Sequence, residues 1–135
     1  MFLFKKRKDG GKDSPVNAYF LVESKRFGSI AFLKFNKGGR EVFHTHAFNA
    51  LTWFIKGDLK EEDVNGNLYT YSKSFTPKLT PKDKNHRVSA TVDSWCFTLR
   101  GSWCDKWVEY DRTKNQTTEF THGRAIVSVT TGLNV

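Results

Sequence analysis

The segment Gly38 to Gly57, GGREVFHTHAFNALTWFIKG, constrains the chain more than any other, because it sets His44 and His46 one residue apart in a run of strand formers. Successive side chains of a strand point to opposite faces, so Val42, His44 and His46 are expected on one face. Two imidazoles then converge on one spot. Phe48, Leu51, Trp53, Phe54 and Ile55 follow, and Gly57 with Asp58 closes the run, which predicts a second, apolar strand ending in a turn. Two histidines presented beside an apolar strand point to a metal site inside a β-barrel.

The remainder of the chain reads as further short strands. Apolar or alternating runs span Ala18 to Val22, Ser29 to Phe35, Leu59 to Val64, Leu68 to Phe75, Arg87 to Val92, Trp95 to Leu99, Trp107 to Tyr110 and Ala125 to Thr130. Asn65-Gly66 is the strongest hairpin signal among them. Residues 5–15 are charged and glycine-containing and end at Pro15, so residues 1–15 are expected to form a basic, flexible arm ahead of one domain over 16–135. Thr76 to Asn85 and Arg112 to Thr118 are polar and read as loops. No long helical period occurs, proline is scarce, and the chain carries 12 Phe, so the expected class is all-β, a sandwich or barrel of short strands with most aromatics in its core.

The residue pattern resembles the cupin superfamily. Gly38, His44, His46 and Gly57 stand in register with that family's first motif, with Ala50 where the motif has a glutamate. Pro81, Asp83 and His86 follow the spacing of its second motif, with Asp in place of Gly, and Ala90 stands where that motif has an asparagine. The stretch Trp95 to Tyr110, WCFTLRGSWCDKWVEY, is similar to the closing block of small single-domain bacterial and phage cupins. The resemblance implies a single-domain, cupin-like jelly-roll β-barrel with His44, His46 and His86 as ligands of a divalent metal.

Three neutral imidazoles accept Fe, Mn, Ni or Zn without choosing among them. Unlike a carboxylate, they leave the metal's charge intact, which favours an anionic substrate or a bound hydroxide. Two reactions fit such a site: O2-dependent oxidation, as in dioxygenase-type cupins, and hydrolysis of a nucleotide or phosphate ester of the phosphodiesterase type. Tyr69 and Tyr71 share one face of their strand and are candidates for a catalytic hydroxyl. Arg40, just before the histidine strand, and Arg100, at the end of another, are candidates for substrate binding, with Trp53 as part of an aromatic wall. Arg87 is expected to face away from the metal if His86 faces it. His122, beside Gly123, reads as a surface residue, and Glu61, Glu62 and Asp63 as a solvated strand edge.

The charge of +8 favours anionic partners, with a small molecule such as a nucleotide ahead of polymeric nucleic acid, since no basic helical stripe or RNA-binding signature occurs. A non-catalytic module that sequesters such a ligand is the alternative to an enzyme. Cys96 and Cys104 lack CxxC spacing and imply no disulfide framework. No signal-like or membrane-spanning apolar run is evident, so a cytoplasmic protein is expected, in the host cytoplasm if phage-encoded, with a homodimer through edge strands as one assembly.

Overall fold

A computed structural model describes residues 2–40 and 42–133; of the expected 16–135 domain, residues 41, 134 and 135 lie outside the described residues. The strands are β1 (Phe2–Lys8), β2 (Val16–Ser24), β3 (Gly28–Phe35), β4 (Gly38–Gly39), β5 (Phe43–His44), β6 (Ala50–Lys56), β7 (Leu59–Asp63), β8 (Leu68–Tyr71), β9 (Lys78–Thr80), β10 (His86–Ala90), β11 (Ser94–Arg100), β12 (Trp107–Asp111), β13 (Gln116–Thr121) and β14 (Ala125–Thr131). They form two antiparallel sheets. One has the order β1-β2-β3-β11-β6-β9, and the other β14-β13-β12-β5-β10-β7-β8, with β4 paired to β10. The all-β jelly-roll expectation holds. The two sheets stay separate and do not close into a barrel.

Alternation explains what each sheet turns inward. On β3 the buried positions are Ser29, Ala31 and Leu33, and on β11 they are Ser94, Cys96, Thr98 and Arg100. The two strands pair Leu33 with Cys96 and Ala31 with Thr98, so these residues share rungs on the inner face. Ala18, Phe20, Ala31, Leu33, Leu59, Ala90 and Cys96 make the core cluster. Gly57, at φ +107, is required by close approach as well as by its backbone: a Cβ there would stand 2.1 Å from Ser94 Oγ. The Ser94 hydroxyl accepts the Asp58 amide at 3.0 Å and fixes the turn.

Four local expectations are corrected. The basic arm is largely strand: Lys5, Arg7 and Lys8 of β1 pair with Phe20, Ala18 and Asn17 of β2. Sheet pairing there overrides a sequence that looks too charged to order. β9 lies within the first polar loop and β13 begins within the second, for the same reason. The histidine strand is only two residues long, with His46 beyond its end, where its amide donates to Lys82 O at 2.9 Å. β8 stops at Tyr71 rather than running to Phe75.

The N-terminal strand is tied to the interior by charge. Asp9, just past β1, accepts from Arg100 Nη2 at 2.6 Å and Nη1 at 3.2 Å. Burial favours a protonated Asp9, but the Arg100 charge and its hydrogen bonds outweigh that and hold the carboxyl below its usual range. The Arg100 side chain is 5% exposed and Asp9 is 26% exposed. Asp9→Ala, which strands the buried guanidinium, is expected to cost about 3 kcal/mol in urea denaturation. Arg100→Met in the same background recovers part of that loss, and if Asp9→Ala melts like the parent the pair contributes nothing.

Candidate metal centre

His44 and His86 are directly opposed across the β5–β10 pairing, and the chain leaving β5 brings back His46. The three rings pack at centroid separations of 4.9 Å for His44–His46, 5.0 Å for His44–His86 and 5.0 Å for His46–His86. Each offers one nitrogen, and these lie within 4.8 Å of one another. His44 Nδ1, His46 Nδ1 and His86 Nε2 are buried with no hydrogen-bond partner among the described residues. Unpaired polar atoms in an interior are costly, and a cation among them would relieve that cost. The donor set therefore fits a divalent transition metal, with Ala50 contributing nothing where a carboxylate would stand.

The Glu61 carboxylate explains the orientation of His86. Nδ1 is held by Glu61 Oε2, which leaves Nε2 for the cluster. Glu61 is 1% exposed and also accepts from Lys78 Nζ at 2.6 Å, Lys84 Nζ at 2.9 Å and the Tyr71 hydroxyl at 3.2 Å. The expectation of a solvated acidic edge is thus wrong for Glu61. Strand alternation turns Glu61 inward and leaves Glu62 to pair with Arg87 at 2.9 Å. Burial opposes the charge on Glu61, and hydrogen bonds from His86, Lys78 and Lys84 overcome it, so its carboxyl is held well below the usual range. A glutamate spaced two residues from Leu59 on an inward face was the available signal.

The cluster opens into a cavity of about 520 Å³. Arg40, Arg100 and Tyr71 line it. Arg40 is bound to Glu109, which also accepts from Arg124 Nη2 at 2.7 Å. Tyr71 stacks on Phe54 at 4.8 Å and keeps its proton: burial first, then the Glu61 charge, raises its pKa above the ordinary phenol value. It is a hydrogen-bond donor and not a base. Tyr69 lies outside the lining, 41% exposed, with Lys84 Nζ 5.1 Å from its ring centroid. Trp53 is also outside. Ala50, Thr52 and Phe54 of β6 face the cavity, so period two sends Trp53 to the other face, 5.9 Å from the Phe97 ring. Arg87 lies outside the lining, as expected. His122 stacks on Trp103 at 5.9 Å and stays half-exposed, apart from the cluster.

No family model and no curated protein sequence matches the chain. Solved structures do match it, several of them described as cupins. The chain is similar to a sugar phosphate isomerase from a cupin superfamily of Silicibacter pomeroyi, at 13% identity over 98% of this chain and 93% of that one, with a TM-score of 0.63. It is also similar to an RmlC-like cupin from Shewanella frigidimarina, at 13% identity over 73% and 83% of the two chains, with a TM-score of 0.56. An ectoine synthase from P. lautus matches at 14% identity over 67% and 66%, with a TM-score of 0.56. At such identities the likeness establishes the fold alone. The chain has a cupin fold carrying a three-histidine cluster suited to a metal. No helix among the described residues is long and apolar enough to cross a membrane.

Burial, then the neighbouring His86 and Arg40 charges, lowers His44 from the ordinary 6.5 to about 3; burial and the other two histidines take His46 well below 6.5. Between those values the unfolded chain binds protons that the folded chain refuses, so stability falls as pH drops from 6.5. Metal-free protein is expected to lose about 5 °C or more in melting temperature between pH 7 and pH 4.5. The double variant His44→Gln, His46→Gln should show a shallower slope, and an equal slope would place the acid sensitivity elsewhere.

Proposed function

We propose that this chain is a metal-dependent enzyme whose His44/His46/His86 centre acts on a small anionic molecule. The observation that carries the reading is an imbalance of partly buried charge around the three histidines. Arg40 and Arg124 share the single carboxylate Glu109, and Lys78 and Lys84 share the single carboxylate Glu61. Each group keeps one positive charge in excess, and no carboxylate among the described residues joins the cluster to offset a metal. An anion entering the cavity meets part of this excess at Arg40, Arg124 and Lys78, which line it.

A bound metal would supply Lewis-acid polarisation or an activated oxygen nucleophile. The protein's own residues do the rest. Glu61 fixes the His86 ring through Nδ1, and Lys78, Lys84 and Tyr71 hold Glu61 in place. Arg40 and Arg124 are placed to meet the anionic end of a substrate. O2-dependent oxidation and hydrolysis both remain compatible with these parts, and the metal selects between them: Fe favours the first, Zn or Mn the second. Enzymes among the similar structures, a sugar phosphate isomerase and an ectoine synthase, lend support to turnover on a fold of this kind. The cytoplasm is the compartment that fits two cysteines without a bridge.

Protein purified without a histidine tag is expected to carry about one Fe, Mn, Ni or Zn per chain by mass spectrometry. His46→Ala removes it. Glu61→Gln retains the fold but holds the metal roughly 10- to 100-fold more weakly in chelator competition. Protein that stays free of metal after reconstitution with each of the four ions would end this reading.

A further inference from the structure

The cavity is two-ended, and the polarity of its wall changes in step along several strands. On β11 the inward residues run Cys96, Thr98, Arg100, and on β10 they run Ala90, Val88, His86. Sheet register carries the same order sideways. Cys96 lies opposite Leu33 and Phe54, while Arg100 lies opposite Ser29 and Ala50. In the facing sheet Ala90 lies opposite Leu59, and His86 lies opposite His44. Four residues of strand, about 13 Å, therefore separate an apolar end from the charged end that holds the histidines. Leu33, Phe35, Phe54, Leu59, Val88 and Cys96 all line the same cavity as Arg40, Arg100 and Arg124. The thiol of Cys96 belongs to the apolar end: burial raises it to about 12, so it adds no charge there.

Such a wall does not suit a small, wholly polar anion, which would leave the partly buried Phe35, Phe54 and Val88 without an apolar partner in the cavity. Nor does it suit a purine or pyrimidine ring held by stacking. Trp103 already has Phe48 and His122 as parallel neighbours, at 5.7 and 5.9 Å, with Lys25 Nζ 5.0 Å from its centroid. Trp107 is stacked against Phe120 at 6.5 Å, and Phe54 against Tyr71 at 4.8 Å. Trp103, Trp107 and Phe54 are thus each stacked on a ring of the protein itself, so a base gains little by competing for those faces.

We propose that the ligand is an amphipathic monoanion, a carboxylate with a medium-length aliphatic body, whose head meets the arginines beside the histidine cluster and whose body fills the Leu33/Phe54/Cys96 end. The inference rests on the anionic-ligand reading above and adds the other half of the molecule. A cavity of about 520 Å³ is within the usual range for a site that encloses a small organic ligand. Removing the aliphatic body from water supplies the affinity, and the charged end supplies orientation.

Isothermal titration calorimetry tests this on the full chain, with metal content measured on the same samples. The probes are straight-chain carboxylates from acetate to decanoate, together with 1-octanol, inorganic phosphate and AMP. Affinity should rise about fourfold for each added methylene and then level off. Phe54→Ala should move the plateau to a longer chain, and Leu33→Trp to a shorter one; either variant alone decides the point if the other fails to fold. Affinity that does not change with chain length, no binding by any of the longer acids, or AMP binding tighter than octanoate would each overturn the proposal. Octanol binding as well as octanoate would remove the anionic head while leaving the apolar end in place. A chain-length series seen in protein that takes up no metal would defeat the metalloenzyme reading and leave this one standing.

Discussion

The buried carboxylate of Glu61 is the interaction on which the rest of the site depends. It gathers two lysine ammoniums, the His86 ring and a phenol around one side chain that is 1% exposed. A charge buried that deeply is tolerable only when its lone pairs are met, and here they are met from β8, β9, β10 and the loop before β10. The consequence is positional. Glu61 fixes the tautomer and direction of the His86 ring, and His86 in turn stands across from His44. The metal-facing geometry is thus set from behind, by residues that need never touch a metal.

Charge pairing of the same kind recurs around the cavity. Arg100 with Asp9, Arg7 with Glu23, and Glu109 with both Arg40 and Arg124 connect strands far apart in sequence. A chain whose formal charge is +8 therefore does not present that excess as a uniform coat. Some of it is drawn inward, where each pair is worth more than at the surface and where an imbalance of one charge is felt by whatever enters.

Much of this was legible in the sequence, for reasons that can be named. The histidine pair and His86 were visible because side chains able to ligate a metal are few in type and their spacing is constrained by the strands that carry them. The strands β3, β6, β11 and β14 were visible as runs of apolar or β-branched residues. β1, β9 and β13 were not, since their residues carry charges or hydroxyls and become strand only because an edge is waiting for them. Glu61 was hidden for a similar reason. In the run Glu61-Glu62-Asp63 composition says exposed, and only the parity of the strand tells which carboxylate turns in. Trp53 shows the converse, an aromatic assigned to the pocket by chemistry and removed from it by the same parity.

The ties from Asp9 to Arg100 and from Arg124 to Glu109 also say when this site can exist. Its charged wall is drawn from a residue near the start of the chain, from the middle, and from the turn before the last strand. During synthesis the N-terminal partner waits through some ninety residues for its guanidinium, and Glu109 stays incompletely matched until Arg124 has emerged. Contacts this distant form slowly and late. The charged wall of this cavity is therefore complete only once Arg124 has emerged, and a nascent chain that stops short of it has the strands of a sheet but a Glu109 without its second guanidinium.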